Sequence, residues 1–173
     1  MLSLEISTPR LALRPALPTD SRTITSLVAD PRIHRNVGRI APGQSQDETR
    51  AFLEEAKQGH FAGTDHVCVI ERKGELIGCV GVHRGTTRDL FELGYWIAPD
   101  AWGHGYATEA SRALMDRLQA RAGVRALMSG HFADNPASGR VLRKLGFLPC
   151  GHHPFHCIGR GEVVDHRDMV WMA

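Results

Sequence analysis

Apolar residues alternate with polar ones near the start of the chain and then recur at helical spacing. Leu11 and Leu13 alternate with polar neighbours, which predicts a strand that Pro15 and Pro18 bring to an end. Apolar residues three to four apart then predict a short amphipathic helix from about residue 20 to residue 30, where an Asp-Pro pair stops it.

A capping-box signature indicates a second helix. Ser45 is followed three residues later by Glu48, a spacing that satisfies free N–H groups at the start of a helix. The predicted helix presents Phe52 and Ala56 on its apolar side and ends near Gly59.

The period then changes from helical to strand-like. Segments 66–71 and 75–84 are rich in β-formers and are joined by a Lys-Gly turn, which predicts a hairpin. A third strand is predicted over 88–97, after a turn at 85–88. Regular alternation in this strand would place four residues on one face, namely Leu90, Glu92, Gly94 and Trp96.

The second half of the chain predicts two helices, one strand and a closing hairpin. Apolar spacing predicts a helix over about 104–120, and a β-rich run predicts a strand over 125–132. Asn135 is a helix N-cap followed by proline, and Gly146 is a stop signal for that helix. The remaining residues form a predicted long hairpin through a turn at 159–162.

This order of elements predicts an α+β fold with mixed α/β content. We expect a central, twisted, mostly antiparallel sheet of about six to seven strands flanked by helices. The strand–helix–strand unit over 88–132 adds one parallel pairing, which is expected to have a right-handed crossover. No repeat or linker divides the chain, so residues 1–173 are expected to form a single domain.

Composition narrows the class of protein. The chain has 173 residues, of which 42% are hydrophobic and 23% charged, as in folded globular proteins. No apolar run approaches the ~20 residues of a membrane-spanning helix, and the start lacks a secretory signal, so we expect a cytoplasmic protein without a membrane partner. A formal net charge of +2 does not indicate a nucleic-acid partner. Monomer and homodimer are both compatible with the sequence.

Histidine is abundant, with ten residues, and three of them lie in GHHPFHC, residues 151–157. A zinc site needs convergent ligands, usually with a second Cys or His pair at a recognisable spacing. No such pair is evident, so a His-rich loop or strand edge is the favoured interpretation, and we expect no metal. A metal-binding protein built on this segment is the less favoured alternative.

The segment WGHGYATEA, residues 102–110, lies between a predicted strand and a predicted helix, and two glycines leave it with few side chains. The free N–H groups and the positive dipole end of such a helix form an anion site, and phosphate is its usual occupant. The segment matches neither a Walker loop nor a dinucleotide-binding loop. Glycines that only turn the chain sharply are the alternative interpretation.

Three blocks, in order along the chain, resemble the GNAT superfamily of acyl-CoA-dependent N-acetyltransferases. They are TPRLALRPALPTD (8–20), FELGYWIAPDAWGHGYATEA (91–110) and NPASGRVLRKLGF (135–147). The resemblance is to the Rim-type branch, whose members acetylate N-terminal amines of ribosomal proteins. It implies the acyl-CoA N-acyltransferase fold, acetyl-CoA as co-substrate, and a protein N-terminus or a small amine as acceptor.

The resemblance also implies which residues bind the coenzyme. Ile97 matches the position whose backbone pairs with the pantetheine arm and polarises the thioester carbonyl, and Asn135 matches a residue that hydrogen-bonds the arm. Trp102 departs from the Gln or Arg that usually opens the family's pyrophosphate loop. The loop residues expected to hold the pyrophosphate through N–H groups are Gly103, His104, Gly105, Tyr106, Ala107 and Thr108.

Glu92 is the candidate general base. An alkylammonium, with a pKa of ~10, has no lone pair for attack until a base removes a proton. Glu92 stands in an otherwise apolar strand beside the proposed thioester, where burial would make it a stronger base. The alternatives are a solvent-facing carboxylate or a partner of a nearby arginine. His83 and His131, at strand ends near the expected cleft, are less favoured bases.

Ser138 matches the position of a hydroxyl that some Rim-type enzymes use to protonate the leaving thiolate, and a plain first-turn serine is an equal alternative. The sequence therefore predicts an enzyme that moves acetyl from acetyl-CoA to a primary amine by direct attack. The alternative is a non-catalytic module that binds acyl-CoA as a sensor.

Overall fold

Eight strands form one sheet in the computed structural model, which describes residues 2–85 and 90–173. The strands are β1 (Ile6–Ser7), β2 (Ala12–Pro15), β3 (Asp65–Arg72), β4 (Glu75–Arg84), β5 (Phe91–Ile97), β6 (Ala126–Phe132), β7 (Leu148–Cys157) and β8 (Glu162–Met172). Their spatial order is β1-β2-β3-β4-β5-β6-β8-β7, and only β5 and β6 run parallel. The mostly antiparallel sheet is confirmed, with one strand more than expected because β1 pairs with β2.

Helices cover both faces of this sheet. They are α1 (Ser21–Val28), α2 (Pro31–His34), α3 (Gln46–Ala62), α4 (Tyr106–Ala122) and α5 (Pro136–Leu145). On one face, called the α3 face below, Leu53 packs with Val69 of β3 in one core cluster. On the other, the α4 face, Leu114 and Leu142 pack with Leu93 of β5. No helix among the described residues is long and apolar enough to cross a membrane.

The capping box that the sequence predicts for α3 is confirmed. The Ser45 hydroxyl accepts a hydrogen bond from the Glu48 N–H at 3.2 Å, and the Glu48 carboxylate accepts one from the Ser45 N–H at 2.7 Å. The helix continues to Ala62 rather than stopping near Gly59, because Gly63 is the residue that takes the left-handed conformation, with φ of 76°.

Two other expectations about the N-terminal helices are wrong. Phe52 is 45% exposed, whereas Ala56 is buried as predicted, and Leu53 takes the buried place that Phe52 was expected to fill. The helix α2 was not expected, although Asp30 caps it by accepting a hydrogen bond from the Arg32 N–H at 2.8 Å. Both differences arise from α1, α2 and α3 packing together on the same face of the sheet.

Strand β5 begins at Phe91, and most of the predicted 85–88 turn and the predicted strand start at 88 fall on residues 86–89, which lie outside the described residues. The remaining elements of the second half agree with the sequence to within two residues. Asn135 caps α5 and Gly146 ends it with φ of 94°.

Candidate active site

A gap opens between β5 and β6 at the centre of the sheet. The two parallel strands pair only at their first residues, ending with Glu92 opposite Met128. The Ser129 hydroxyl then donates a hydrogen bond to the Leu93 carbonyl at 2.8 Å. Since no further pair joins these strands among the described residues, their later residues frame a slot open to a ligand.

The backbone of β5 directs hydrogen-bonding groups into this gap. The Ala98 N–H donates to the Ile77 carbonyl at 2.7 Å, on the β4 side. Every second residue of an antiparallel pair turns its N–H and C=O the other way, so those of Ile97 face the gap. The Trp102 indole N–H donates a hydrogen bond to the Ile97 carbonyl at 2.6 Å. The Ile97 N–H is thus the group of that residue directed at an extended ligand.

The turn before α4 is built on two glycines with left-handed backbone. Gly103 and Gly105 have φ of 80° and 78°, a region that side chains rarely adopt. Because Gly105 is the N-cap, α4 begins at Tyr106, two residues later than expected. A Cβ at Gly103 would meet nothing within 4 Å. The first N–H groups of α4 and the positive end of its dipole are therefore open to an anion.

The N-terminal segment holds this loop in place. The Arg10 guanidinium donates to the His104 carbonyl at 2.9 Å and forms an ion pair with Glu109 at 2.6 Å. It also lies over the Tyr106 ring, 4.8 Å from the ring centroid. The His104 ring stacks on the Tyr106 ring, at 5.4 Å between centroids. These contacts fix the backbone without filling the mouth of α4.

A pocket of about 370 Å³ lies beside the loop, next to Trp102. Three guanidinium groups line it, those of Arg32, Arg35 and Arg160, with one carboxylate, Asp134. Asp134 pairs with Arg160 at 2.6 Å. Arg32 in turn pairs with Asp30 at 2.7 Å, so carboxylates balance two of the three guanidinium groups and the pocket keeps a small positive charge.

On the α3 face, the gap opens into a cleft of about 1020 Å³. Asp65, His83 and Glu92 lie side by side on three neighbouring strands, and the His83 Nδ1 is 2.7 Å from the Asp65 Oδ1. Glu92 is exposed, and among the described residues no hydrogen bond or ion pair holds it. Glu92 was expected to be a stronger base because of burial, and the structure shows that it is not buried. Its predicted face, shared with Gly94 and Trp96, does line the cleft.

Ser138 lies on the other side of the gap, where it meets Tyr95. The Tyr95 hydroxyl lies 2.9 Å from the Ser138 hydroxyl and donates to the Ser138 carbonyl at 3.2 Å. The Ser138 N–H donates to the Asn135 side chain at 3.3 Å. Burial raises the pKa of Tyr95 to about 12, so the phenol keeps its proton. Tyr95 was not predicted from the sequence, although alternation along β5 gives it the same orientation as Ile97, towards the gap.

His131 lies against α5 rather than beside Glu92. Its Nδ1 is 2.9 Å from the Phe132 carbonyl, and a Cβ at Gly139 would come within 2.6 Å of its Nε2. His131 and His83 were both predicted as less favoured bases, and the structure separates the two onto different faces of the sheet.

The His-rich segment forms part of β7 and meets β8 across the closing hairpin. His153, His166 and Asp168 offer ligand-type atoms within 4.8 Å of one another. The Asp168 carboxylate accepts from the Nδ1 of His166 at 2.9 Å and from the Nδ1 of His153 at 3.0 Å. This convergence was missed because His166 and Asp168 come from the following strand, where no Cys or His spacing signals them.

Comparisons with known proteins agree with this geometry. Residues 10–148 match the family model described as Acetyltransferase (GNAT) domain. The chain is 31% identical over 150 residues to the uncharacterized N-acetyltransferase YoaA of Bacillus subtilis (strain 168), covering 82% of this chain and 81% of that protein. It is 27% identical over 123 residues to the ribosomal-protein-serine acetyltransferase of Escherichia coli (strain K12), covering 70% and 66%.

Solved structures show the same fold. RimL, a ribosomal L7/L12 alpha-N-protein acetyltransferase in complex with coenzyme A, superposes with a TM-score of 0.83 at 22% identity, covering 98% of this chain and 97% of that one. The sheet with its central gap, and the bare loop before α4, define an N-acetyltransferase. The chain belongs to the GNAT acetyltransferase family, which confirms the expected fold class and the family resemblance.

Proposed function

We propose that this protein transfers acetyl from acetyl-CoA to a primary amine, with Glu92 as the general base. The observation that carries the proposal is the open, glycine-lined mouth of α4 at one end of the gap between β5 and β6. A diphosphate and an extended arm attached to it match these two features in charge and in shape.

The residues around the gap fit coenzyme A. The N–H groups of residues 103–108 would hold the diphosphate, because no side chain fills the space in front of Gly103. The arm would then run along β5, where the Ile97 N–H is directed at it, with Asn135 on the opposite side. Bound in this way, the thioester would lie where the strands part, between Gly94 and Ser129.

The proton chemistry is divided between the two sides of the gap. Glu92, in the cleft on the α3 face, takes a proton from the incoming ammonium, directly or through a water. Its exposure lets a cationic amine reach it. Ser138, held by Tyr95, gives a proton or a hydrogen bond to the departing thiolate. Acetylation needs both proton transfers, because the attacking ammonium must lose protons and the departing sulfur must gain one.

The acceptor is a protein N-terminus or a small amine. The cleft of about 1020 Å³ has room for several residues of an extended chain end. Two relatives are named as ribosomal-protein acetyltransferases, which supports an N-terminal α-amine as the first acceptor to examine.

Thiol release tests this proposal. The purified protein is incubated with acetyl-CoA and a panel of amines, namely short peptides with free N-termini, the same peptides with blocked N-termini, polyamines and amino acids. We expect free thiol in step with an acetylated product found by mass spectrometry, and none with blocked peptides. Acetyl-CoA binding without thiol release for any amine would instead favour a non-catalytic sensor.

A further inference from the structure

His166 presents an imidazole nitrogen with a fixed hydrogen-bonding state to the cleft. A carboxylate only accepts hydrogen bonds, so the Nδ1 of His166, 2.9 Å from Asp168, carries the hydrogen. In the neutral ring the Nε2 then has a free lone pair. Burial raises the pKa of Asp168, but the hydrogen bonds from His153 and His166 outweigh it, and the pKa is lowered. The carboxylate therefore stays ionised and holds the ring.

The Nε2 of His166 lies where β5 and β6 separate. A Cβ at Gly130 would lie 2.7 Å from this nitrogen, so the ring rests directly over the bare backbone of β6. Since Glu92 pairs with Met128, Gly94 and Gly130 are the residues that face each other two positions further along, at the opening. A Cβ at Gly94 would meet nothing within 4 Å. Two glycines thus leave an approach to the gap beside His166.

Among the described residues, two ionisable side chains are in contact with His166. From its own strand it faces Asp168, and from β7 it faces His153, at 5.0 Å between ring centroids. From β6 and β7 it contacts the rings of Phe132 and Phe155, which carry no proton to exchange. The His166 side chain is 14% exposed, whereas that of His153, on the edge strand, is 49% exposed. His166 is therefore the better shielded of the two.

Acetylation of an ammonium requires the removal of two protons from nitrogen. The first must leave before attack, because only the neutral amine has a lone pair. After the C–N bond forms, the nitrogen still carries one hydrogen too many, and the amide forms only when this second proton leaves. As the C–S bond breaks, the thiolate takes up one proton. The other proton passes to solvent. A single carboxylate therefore accounts for only one of the two proton removals.

We propose that His166, held by Asp168, is the second proton acceptor of the acetyl transfer, opposite Glu92 across the gap. The inference rests on the proposed function and assigns a role to residues that lie outside its machinery. His153 acts as a positioning residue, because its hydrogen bond to the second oxygen fixes the Asp168 carboxylate. A glycine is required at position 130, because a Cβ there would clash both with the His166 ring and with the Arg167 carbonyl of β8.

Kinetics of His166→Gln and His166→Ala test this inference, with His152→Gln as the matched control. His152 lies on the partner strand β7, next to His153; it is 68% exposed and pairs with Asp165 rather than Asp168. We expect His166→Gln to lower kcat by roughly 100-fold, the scale of general base catalysis, with acetyl-CoA binding unchanged. Added imidazole should raise the rate of His166→Ala and leave the wild type unaffected. His152→Gln should stay close to wild type.

The outcomes separate the inference from the proposed function. A wild-type protein that acetylates no amine defeats the proposed function itself. An active wild type with an equally active His166→Gln variant overturns the inference alone. Loss of activity without imidazole rescue, in a variant that unfolds at lower urea concentration than His152→Gln, also overturns it, because the ring is then structural. Wild-type activity that EDTA abolishes and Zn²⁺ restores would show that these residues hold a metal instead of a proton.

Discussion

Replacing Glu92 by glutamine is expected to lower kcat for acetyl transfer by roughly 100-fold or more, the usual contribution of a positioned general base. Glutamine keeps the shape of the side chain and removes its ability to take a proton. Glu92 is exposed on the cleft wall, so the substitution leaves no buried group without a partner. The affinity for acetyl-CoA, measured by calorimetry, should therefore be unchanged, and the loss should appear in the rate of thiol release.

Glu55→Gln provides the control for this experiment. Glu55 is an exposed carboxylate of α3 that lines the same cleft from the opposite wall. Its substitution removes the same charge from the cleft without touching β5. We expect a change in acceptor KM at most, with kcat within a few-fold of wild type. If Glu92→Gln is as active as Glu55→Gln, Glu92 has no part in proton transfer.

A carboxylate at the mouth of α4 is expected to weaken the binding of coenzyme A strongly. Aspartate at position 103 would stand within about 6 Å of the diphosphate, where repulsion at an effective dielectric constant of about 20 is about 3 kcal/mol, or roughly 100-fold in affinity. The position itself is permissive, because its space is open and Asp tolerates the left-handed conformation better than most residues. Affinity is measured by calorimetry with coenzyme A.

Gly103→Asn is the matched control for Gly103→Asp. The two side chains have the same size and both visit the left-handed region, so the variants differ only in charge. A negative charge near the N-terminus of a helix stabilises the free protein, so Gly103→Asp should unfold at the same or a higher urea concentration than Gly103→Asn. Equal affinities of both variants for coenzyme A would place the diphosphate elsewhere.

Local signals in the sequence account for much of the fold. Helix caps are local signals, because a capping side chain bonds to backbone groups only a few residues away. The caps at Ser45 and Glu48, and at Asn135 and Gly146, therefore located α3 and α5 from spacing alone. The alternation in β5 likewise placed Glu92 on the cleft face. The two-residue strand β1 was missed because so short a segment has no period of its own, and it is stabilised only by pairing with β2.

The parts of the candidate site that the sequence did not reveal depend on contacts between distant segments. Tyr95 and Ser138 are 43 residues apart and meet only because α5 packs against β5. His153 and His166 are directly opposite each other through the register of the closing hairpin, which a bulge near Pro149 shifts. The exposure of Glu92 depends on how far the N-terminal helices extend over the sheet, which no local pattern determines.

A crystal structure of the protein with coenzyme A is the most direct test of how the gap and the loop are used. We expect the diphosphate within hydrogen-bonding distance of the N–H groups of residues 103–108, and the pantetheine arm between β5 and β6 with its sulfur near Gly94 and Gly130. Coenzyme A bound elsewhere on the protein, with the gap closed by side chains, would contradict the proposed acetyl transfer at this site.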